Sequence, residues 1–191
     1  MSEEQAFLDL MRRVRAGDQA ACAELVHEYG PHIRRAARLR LPARLAAVCD
    51  GSDVCQAVFG SFFVRVGLGQ YDLREPRQLV RLLCTMARNK ALKRVGREYA
   101  ERRDARRRDE GPIEKREVAA PGPSPSEQVV YQELIQKAHA LLSPAEKQIA
   151  ELLNRGHTWA EVAARLGGTP EAVRKRHERA LREVARELGL E

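Results

Sequence analysis

Residues 158–186 have the sequence TWAEVAARLGGTPEAVRKRHERALREVAR. Thr158 and Glu161 form the S/T-x-x-E pattern that caps a helix, so a short helix is expected to begin there and to end at the two glycines. Thr169-Pro170 then predicts the start of a longer helix, because threonine is a favoured N-cap and proline suits the first turn. A short helix, a glycine turn and a longer helix are the layout of a helix-turn-helix.

The second helix of this motif has two different faces. Its apolar side is predicted to be core and consists of Val173, His177, Ala180, Leu181, Val184 and Leu188. Its opposite side consists of Glu171, Arg174, Lys175, Glu178, Arg179 and Arg182. The N-terminal part of such a helix enters the major groove, where arginine and lysine donate to guanine or to phosphates. The pattern favours DNA binding over a purely structural hairpin, and it favours Trp159 as a packing anchor over a base-stacking residue.

Two more helices are predicted upstream of this motif. Ser143-Pro144-Ala145-Glu146 is a second capping box with proline at the first helical position. A helix from Ser126 or a neighbour precedes it. The apolar residues expected on these helices and on the short helix of the motif are Val129, Val130, Leu134, Ala138, Leu141, Ile149, Leu152, Leu153, Val162, Ala163 and Leu166.

The first half of the chain also has helical spacing, with no convincing strand alternation. Residues 4–15 predict a first helix, and Asp18 is a candidate N-cap for a second, in which Pro31 predicts a kink or break. A third helix is predicted from Ser52 or Asp53, and a long fourth begins at Pro76. Their predicted buried residues are Phe7, Leu8, Met11, Val14, Leu25, Val26, Tyr29, Ile33, Ala37, Val54, Val58, Phe59, Phe62, Phe63, Val66, Leu79, Leu82, Leu83, Met86, Ala87 and Val95.

Composition divides the chain into two parts. Residues 110–127 are rich in proline and have little to bury, which is typical of a flexible linker. We therefore predict an all-α protein with two small helical domains, residues 1–109 and residues 128–191, joined by that linker.

Basic charge is concentrated in one segment. The formal net charge is +7 over 191 residues. Residues 88–108, RNKALKRVGREYAERRDARRR, contain 10 basic and 3 acidic residues and so account for the whole excess. Such a concentration on one helix indicates a polyanionic partner. The alternative is a solvated helix with internal salt bridges, because Glu98, Glu101 and Asp104 lie among the arginines.

Other classes of protein receive little support from the sequence. No apolar run approaches the roughly 20 residues of a bilayer helix, and the acidic N-terminus is unlike a signal peptide, so we expect a cytoplasmic protein without membrane insertion.

The four cysteines, Cys22, Cys49, Cys55 and Cys84, form no C-x-x-C pair and are expected to be buried thiols; a zinc site including Cys49 and Cys55 is the alternative. Asp50 and Asp53 suit helix capping better than metal binding. No enzyme motif and no cofactor motif is present.

Four ordered motifs together resemble a known family. They are R-A-G-D-x-A-A-x-A-E-L-V-x-x-Y-G-P (residues 15–31), D-V-x-Q-x-V-F-x-x-F-F (53–63), L-L-x-x-M-A-R-N-x-A (82–91) and the helix-turn-helix after L-S-P-A-E (142–146). This set is similar to the extracytoplasmic-function (ECF) group of bacterial RNA polymerase sigma factors, and it covers nearly the whole chain outside the linker.

The resemblance implies a function and a set of site residues. Residues 1–109 would bind core RNA polymerase and melt the promoter −10 element, and residues 128–191 would bind the −35 element in duplex DNA. The residues implied are Asp53 and Gln56 for polymerase, Tyr71, Arg88, Asn89, Lys93 and Arg97 for the −10 single strand, and Thr169, Glu171, Arg174, Lys175 and Arg179 for the −35 duplex. Tyr71 would stack on an unpaired base in the loop 67–78, although packing beneath that loop is an equal alternative. An anti-sigma factor is a further implied partner that no residue marks.

The chain departs from the family pattern at two positions. Ala57 follows Gln56 where many members have an acid, which weakens the inference about polymerase contacts there. Lys93 stands at a position that is often acidic. The loop 67–78 also has fewer aromatic residues than that of primary sigma factors, so we expect a narrow promoter class. A stand-alone helix-turn-helix regulator that binds duplex DNA without polymerase is the competing hypothesis.

Overall fold

The computed structural model describes residues 2–40, 51–108 and 125–190. Every regular element in these ranges is a helix and none is a strand, which confirms the all-α prediction. The helices are α1 (Glu3–Arg15), α2 (Gln19–Arg40), α3 (Gly51–Gly67), α4 (Pro76–Arg108), α5 (Pro125–Leu141), α6 (Pro144–Asn154), α7 (Trp159–Leu166) and α8 (Pro170–Glu187). No helix in this part of the chain is both long enough and apolar enough to span a bilayer.

The first turn between helices follows the sequence signals closely. Ser2 caps α1, its hydroxyl accepting from the backbone N–H of Gln5 at 3.3 Å. Gly17 has a φ of 77°, a conformation that favours glycine. The carboxylate of Asp18 accepts from the backbone N–H of Ala21 at 2.7 Å, as expected of an N-cap.

Pro31 does not break the second helix. The helix α2 continues through it from Gln19 to Arg40, so of the predicted kink or break the break is wrong, while the kink stays a prediction. Proline removes one backbone hydrogen bond. The flanking side chains of Tyr29 and Ile33 are buried at 4% and 0% exposure, and their packing holds the helix together across the missing bond.

The helix α3 forms the centre of the first half. Phe59, Phe62 and Phe63 are at most 1% exposed and pack with α1, α2 and α4. The helix begins at Gly51, so Asp53 lies inside its first turn and is not the N-cap. In α4 the side chains of Leu79, Leu83 and Ala87 are buried, whereas residues 92–94 and 96–97 are exposed.

Both predicted capping boxes are present in the second half. Glu146 accepts from the backbone N–H of Ser143 at 2.8 Å, and Glu161 accepts from that of Thr158 at 2.7 Å. The Ser143 hydroxyl, which donates to Glu146 at 2.6 Å, is the largest cause that lowers the pKa of this carboxylate, and the backbone bond lowers it further.

Two residues predicted to be part of the core lie at the surface. Leu141 is 49% exposed and Leu166 is 37% exposed. Each is the last residue of its helix. In α5 Ala138 is buried as predicted, and Tyr131 and Ile135 complete the buried stripe, with Leu142 directly after the helix.

The two halves of the chain pack on each other. Tyr131 and Ile135 of α5 belong to the same core cluster as the phenylalanines of α3. Val64 and Leu68 at the end of α3 belong to a second cluster with residues of α5, α6 and α8. Of the predicted linker, residues 110–124 lie outside the described residues and residues 125–127 begin α5.

Candidate nucleic-acid interface

The helix-turn-helix places the predicted −35 residues on one open surface. Gly167 and Gly168 have φ values of 82° and 99°, so the turn uses conformations that other residues adopt only under strain. Thr169 caps α8, its hydroxyl accepting from the backbone N–H of Ala172 at 3.2 Å. All five predicted residues are exposed: Thr169, Glu171, Arg174, Lys175 and Arg179.

Ion pairs along α8 set the direction of its basic side chains. Lys175 Nζ lies 2.9 Å from a carboxylate oxygen of Glu171, and Arg174 Nε lies 3.7 Å from Glu178. Pairs four residues apart on an exposed helix are worth only a few tenths of a kcal/mol. They therefore orient the two cations at little cost and leave them available to a stronger anion.

The apolar side of the motif contains a buried histidine. His177 is 2% exposed, and its ring lies 5.6 Å from that of Trp159. Trp159 is half-buried against a cluster that includes Val162 and Val173, which agrees with its predicted packing role. Neither ring nitrogen of His177 has a hydrogen-bond partner in the part of the chain that the structure describes.

Acid is expected to destabilise the protein through His177. Burial lowers its pKa from 6.5 to about 4, although the carboxylates of Glu146 and Glu178 act in the opposite direction. The unfolded chain therefore binds a proton near pH 6.5, whereas the folded chain binds it only near pH 4. The resulting loss of stability begins as the pH falls below 6.5 and reaches about 2 kcal/mol at pH 5.

Urea unfolding at pH 7 and pH 5 measures this loss. We expect His177→Leu to lose about 2 kcal/mol less than the wild-type chain between the two pH values. His27, which is exposed in α2, provides the control, and His27→Leu should retain the wild-type difference. An unchanged pH dependence in His177→Leu would contradict the assignment.

The second half of α4 forms a separate basic surface. Arg88, Asn89, Lys93 and Arg97 are all exposed along one broad face, as the sequence predicts. Leu92 lies within this face and is 55% exposed. Leu92 was not among the predicted site residues, although its place three and four residues after Asn89 and Arg88 puts it on their side of the helix.

Tyr71 lies in the loop before α4 and is half-buried. Its ring stacks on Phe62 with 6.2 Å between centroids and 9° between planes. Its backbone carbonyl accepts from the Arg15 guanidinium at 3.2 Å. The loop is thus anchored to α1 and α3, and one face of the tyrosine ring is directed to the core.

The predicted polymerase residues lie at the start of α3. Asp53 and Gln56 are both exposed. A carboxylate oxygen of Asp53 lies 2.9 Å from Arg94 on α4. This pair connects the α3 surface to the basic half of α4, a contact that no short motif indicates.

The described cysteines are thiols that form no disulfide. Cys22 and Cys55 are buried and Cys84 is half-buried, while Cys49 and Asp50 lie outside the described residues. Burial raises the pKa of the Cys22 thiol to about 12. Within the described ranges no three His, Cys, Asp or Glu side chains are grouped as metal ligands.

The comparisons with known proteins agree with this geometry. No curated protein matches the chain. A family model does: the one described as ECF sigma factor matches residues 4–189, which include both exposed basic helix faces and the α3 surface. A match over nearly the entire length, with the helix-turn-helix at its end, shows that the chain belongs to the ECF sigma factor family.

Proposed function

We propose that this sigma factor directs core RNA polymerase to promoters through two separate DNA contacts. The helix α8 binds the −35 element as duplex, and α4 with the loop before it binds the −10 element as single strand. The observation that carries the proposal is the capped helix α8, on which the side chains of Arg174, Lys175 and Arg179 are all exposed.

The chemistry of α8 supports the proposed −35 contact. Arginine and lysine donate to the O6 and N7 atoms of guanine, and a carboxylate such as that of Glu171 accepts from cytosine N4. The helix N-terminus with its Thr169 cap suits a phosphate, because its dipole favours negative charge.

The −10 contact uses a different arrangement on α4. Arg88, Lys93 and Arg97 would neutralise phosphates, while Asn89 would bind base edges. The exposed Leu92 supplies an apolar contact among them for an unpaired base. Tyr71 would add a stacking surface on its outer face.

The remaining partners are proposed by analogy with the family. Asp53 and Gln56 would bind core polymerase in the cytoplasm, and an anti-sigma factor would control access to the same surfaces. The chain itself needs no cofactor and catalyses no reaction in this scheme, because polymerase supplies the chemistry.

Run-off transcription with core polymerase tests the proposed function. We expect transcripts only when the chain is added, from templates selected by sequencing DNA that co-purifies with the complex. Gel shifts without polymerase distinguish this function from that of a stand-alone regulator. A free chain that binds duplex promoters as tightly as the polymerase complex does, and that gives no run-off product, would instead be a stand-alone regulator.

Loss of Arg174 is expected to weaken one −35 sequence in particular. For Arg174→Ala we expect a loss of roughly 1–3 kcal/mol if the guanidinium binds one base through two hydrogen bonds. Affinity for templates with substitutions at each −35 position measures this loss. Equal losses on all templates would assign Arg174 to phosphate instead.

A further inference from the structure

Four basic side chains of α3 and α4 lie near one another. Lys90 is half-buried in α4, and burial is the main cause that lowers the pKa of its ammonium group. Repulsion from the charges of Arg65, Lys93 and Arg97 lowers this pKa further. Arg65 is half-buried on α3, whereas Lys93 and Arg97 are exposed on α4. The fold therefore concentrates positive charge from two helices at one place.

These four cations lack acidic partners. The neighbouring Arg94 pairs with Asp53 at 2.9 Å, but none of the four has a carboxylate within ion-pair distance among the side chains that the structure describes. Like charges held together without a counter-charge destabilise the compact state. A bound anion would remove this repulsion, so the cluster is suited to an anionic ligand.

Two donors beside this cluster converge on a single oxygen atom. The Ser61 hydroxyl and the Lys90 ammonium group both donate to the backbone carbonyl of Leu190, at 3.1 Å and 2.9 Å. Ser61 is 2% exposed, and it lies one turn before Arg65 on the same side of α3. Hydroxyl, ammonium and guanidinium groups are the donors that proteins use to bind phosphate oxygens. The Leu190 carbonyl thus marks the position that an oxygen of such a ligand would take.

The Leu190 carbonyl is a neutral acceptor, which a phosphate oxygen can displace. A phosphate oxygen carries negative charge and is therefore the stronger acceptor for a group of cations. Gly189, which precedes Leu190, has a φ of 64° and lies beyond the end of α8. Because glycine adopts other backbone conformations without strain, the carbonyl can turn away while α8 stays unchanged.

We propose that Ser61, Arg65 and Lys90 form a binding site for a phosphate group, and that the exposed Lys93 and Arg97 add to its positive charge. The phosphate belongs either to the backbone of promoter DNA or to a free phosphate-bearing molecule. Lys93 and Arg97 are also part of the proposed −10 surface, so a strand bound there would pass the site. The site itself rests on the geometry above, and only its occupation by DNA depends on the proposed function.

Thermal unfolding in inorganic phosphate tests the site directly. For the wild-type chain we expect about 10 mM phosphate to raise the unfolding midpoint by about 2–4 °C over chloride of equal ionic strength, which is the shift for a concentration roughly five times Kd. Arg65→Gln with Lys90→Gln should abolish the shift. Arg12→Gln with Lys137→Gln removes two charges from exposed positions on other helices, and this matched control should retain the shift.

Two single variants keep the test decisive if the double variant does not fold. The Arg65 side chain makes no hydrogen bond or ion pair within the described ranges, so Arg65→Gln removes a charge and no contact. Ser61→Ala keeps every charge and removes one donor. We expect each to reduce the phosphate shift. A shift equal to that of the wild-type chain in both single variants would overturn the proposal.

Promoter binding distinguishes the two sources of phosphate. The polymerase complex binds a promoter with an unpaired −10 strand over a range of salt concentrations. If the DNA backbone occupies the site, Arg65→Gln with Lys90→Gln lowers the salt slope of log K by about 0.7 and weakens binding roughly fivefold at 0.1 M salt. An unchanged slope together with a lost phosphate shift assigns the site to a free phosphate-bearing molecule.

The two measurements also separate two kinds of failure. A double variant that retains both the phosphate shift and the wild-type slope would overturn the phosphate site and leave the sigma-factor function intact. Failure of the wild-type chain to support transcription with core polymerase, with its phosphate shift present, would instead overturn the proposed function and leave the site.

Discussion

Phe62→Ala is expected to destabilise the whole chain by about 3–5 kcal/mol, which is the usual cost of removing a buried phenylalanine ring. Phe62 is 0% exposed and packs on the rings of Phe63 and Tyr71. The free energy of unfolding of an ordinary domain is only about 5–15 kcal/mol, so this substitution removes a large share of the total stability. Urea unfolding followed by circular dichroism measures it.

The same experiment shows whether the two halves unfold together. Because Tyr131 and Ile135 share the core of α3, we expect one transition whose midpoint falls in Phe62→Ala. The exposed Leu92 provides the control, and Leu92→Ala should change the unfolding free energy by less than about 0.5 kcal/mol. A second transition, unmoved by Phe62→Ala, would show that residues 128–191 fold independently.

Local signals in the sequence were sufficient to predict most of the helices. A cap such as Thr158 with Glu161 acts over three residues, so its hydrogen bonds are determined by the sequence alone. Pro31 is the exception among the local signals, because the packing of its neighbours in the core outweighed the one lost hydrogen bond.

The buried face of α5 could not be predicted in the same way. Two apolar stripes have helical spacing there, one with Leu134 and Leu141 and another with Tyr131 and Ile135. Local spacing does not choose between them. The contact with α3 selects the second stripe, since Tyr131 packs on Phe63 and Ile135 packs against Gly67, which has no side chain.

In the candidate site, too, local features could be predicted from the sequence and contacts between distant residues could not. Helical periodicity was enough to place Arg174 and Arg88 on exposed faces, and both are exposed. The pair Arg94–Asp53 and the bond from Lys90 to the Leu190 carbonyl join residues 41 and 100 positions apart. No short motif indicates contacts at such separations.

Removal of three basic side chains from α4 should weaken promoter binding more than any single substitution. In the triple variant Arg88→Gln, Lys93→Gln and Arg97→Gln, each lost phosphate contact on single-stranded DNA reduces the salt slope of log K by about 0.7. Three contacts correspond to a slope lower by about 2 and to roughly 100-fold weaker binding at 0.1 M salt.

A second triple variant separates local contact from total charge. Arg12, Lys137 and Arg186 are exposed on other helices, and their replacement by glutamine lowers the net charge of +7 by the same three units. The two triple variants are compared by measuring how tightly each polymerase complex binds a promoter with an unpaired −10 strand. The measurement covers roughly 0.05 to 0.3 M salt. If α4 contacts phosphates, only the α4 variant lowers the slope, because counterions are released only where protein and phosphate meet. Equal slopes in the two variants would mean that the basic half of α4 acts through long-range attraction alone, and the −10 contact would have to be assigned to another surface.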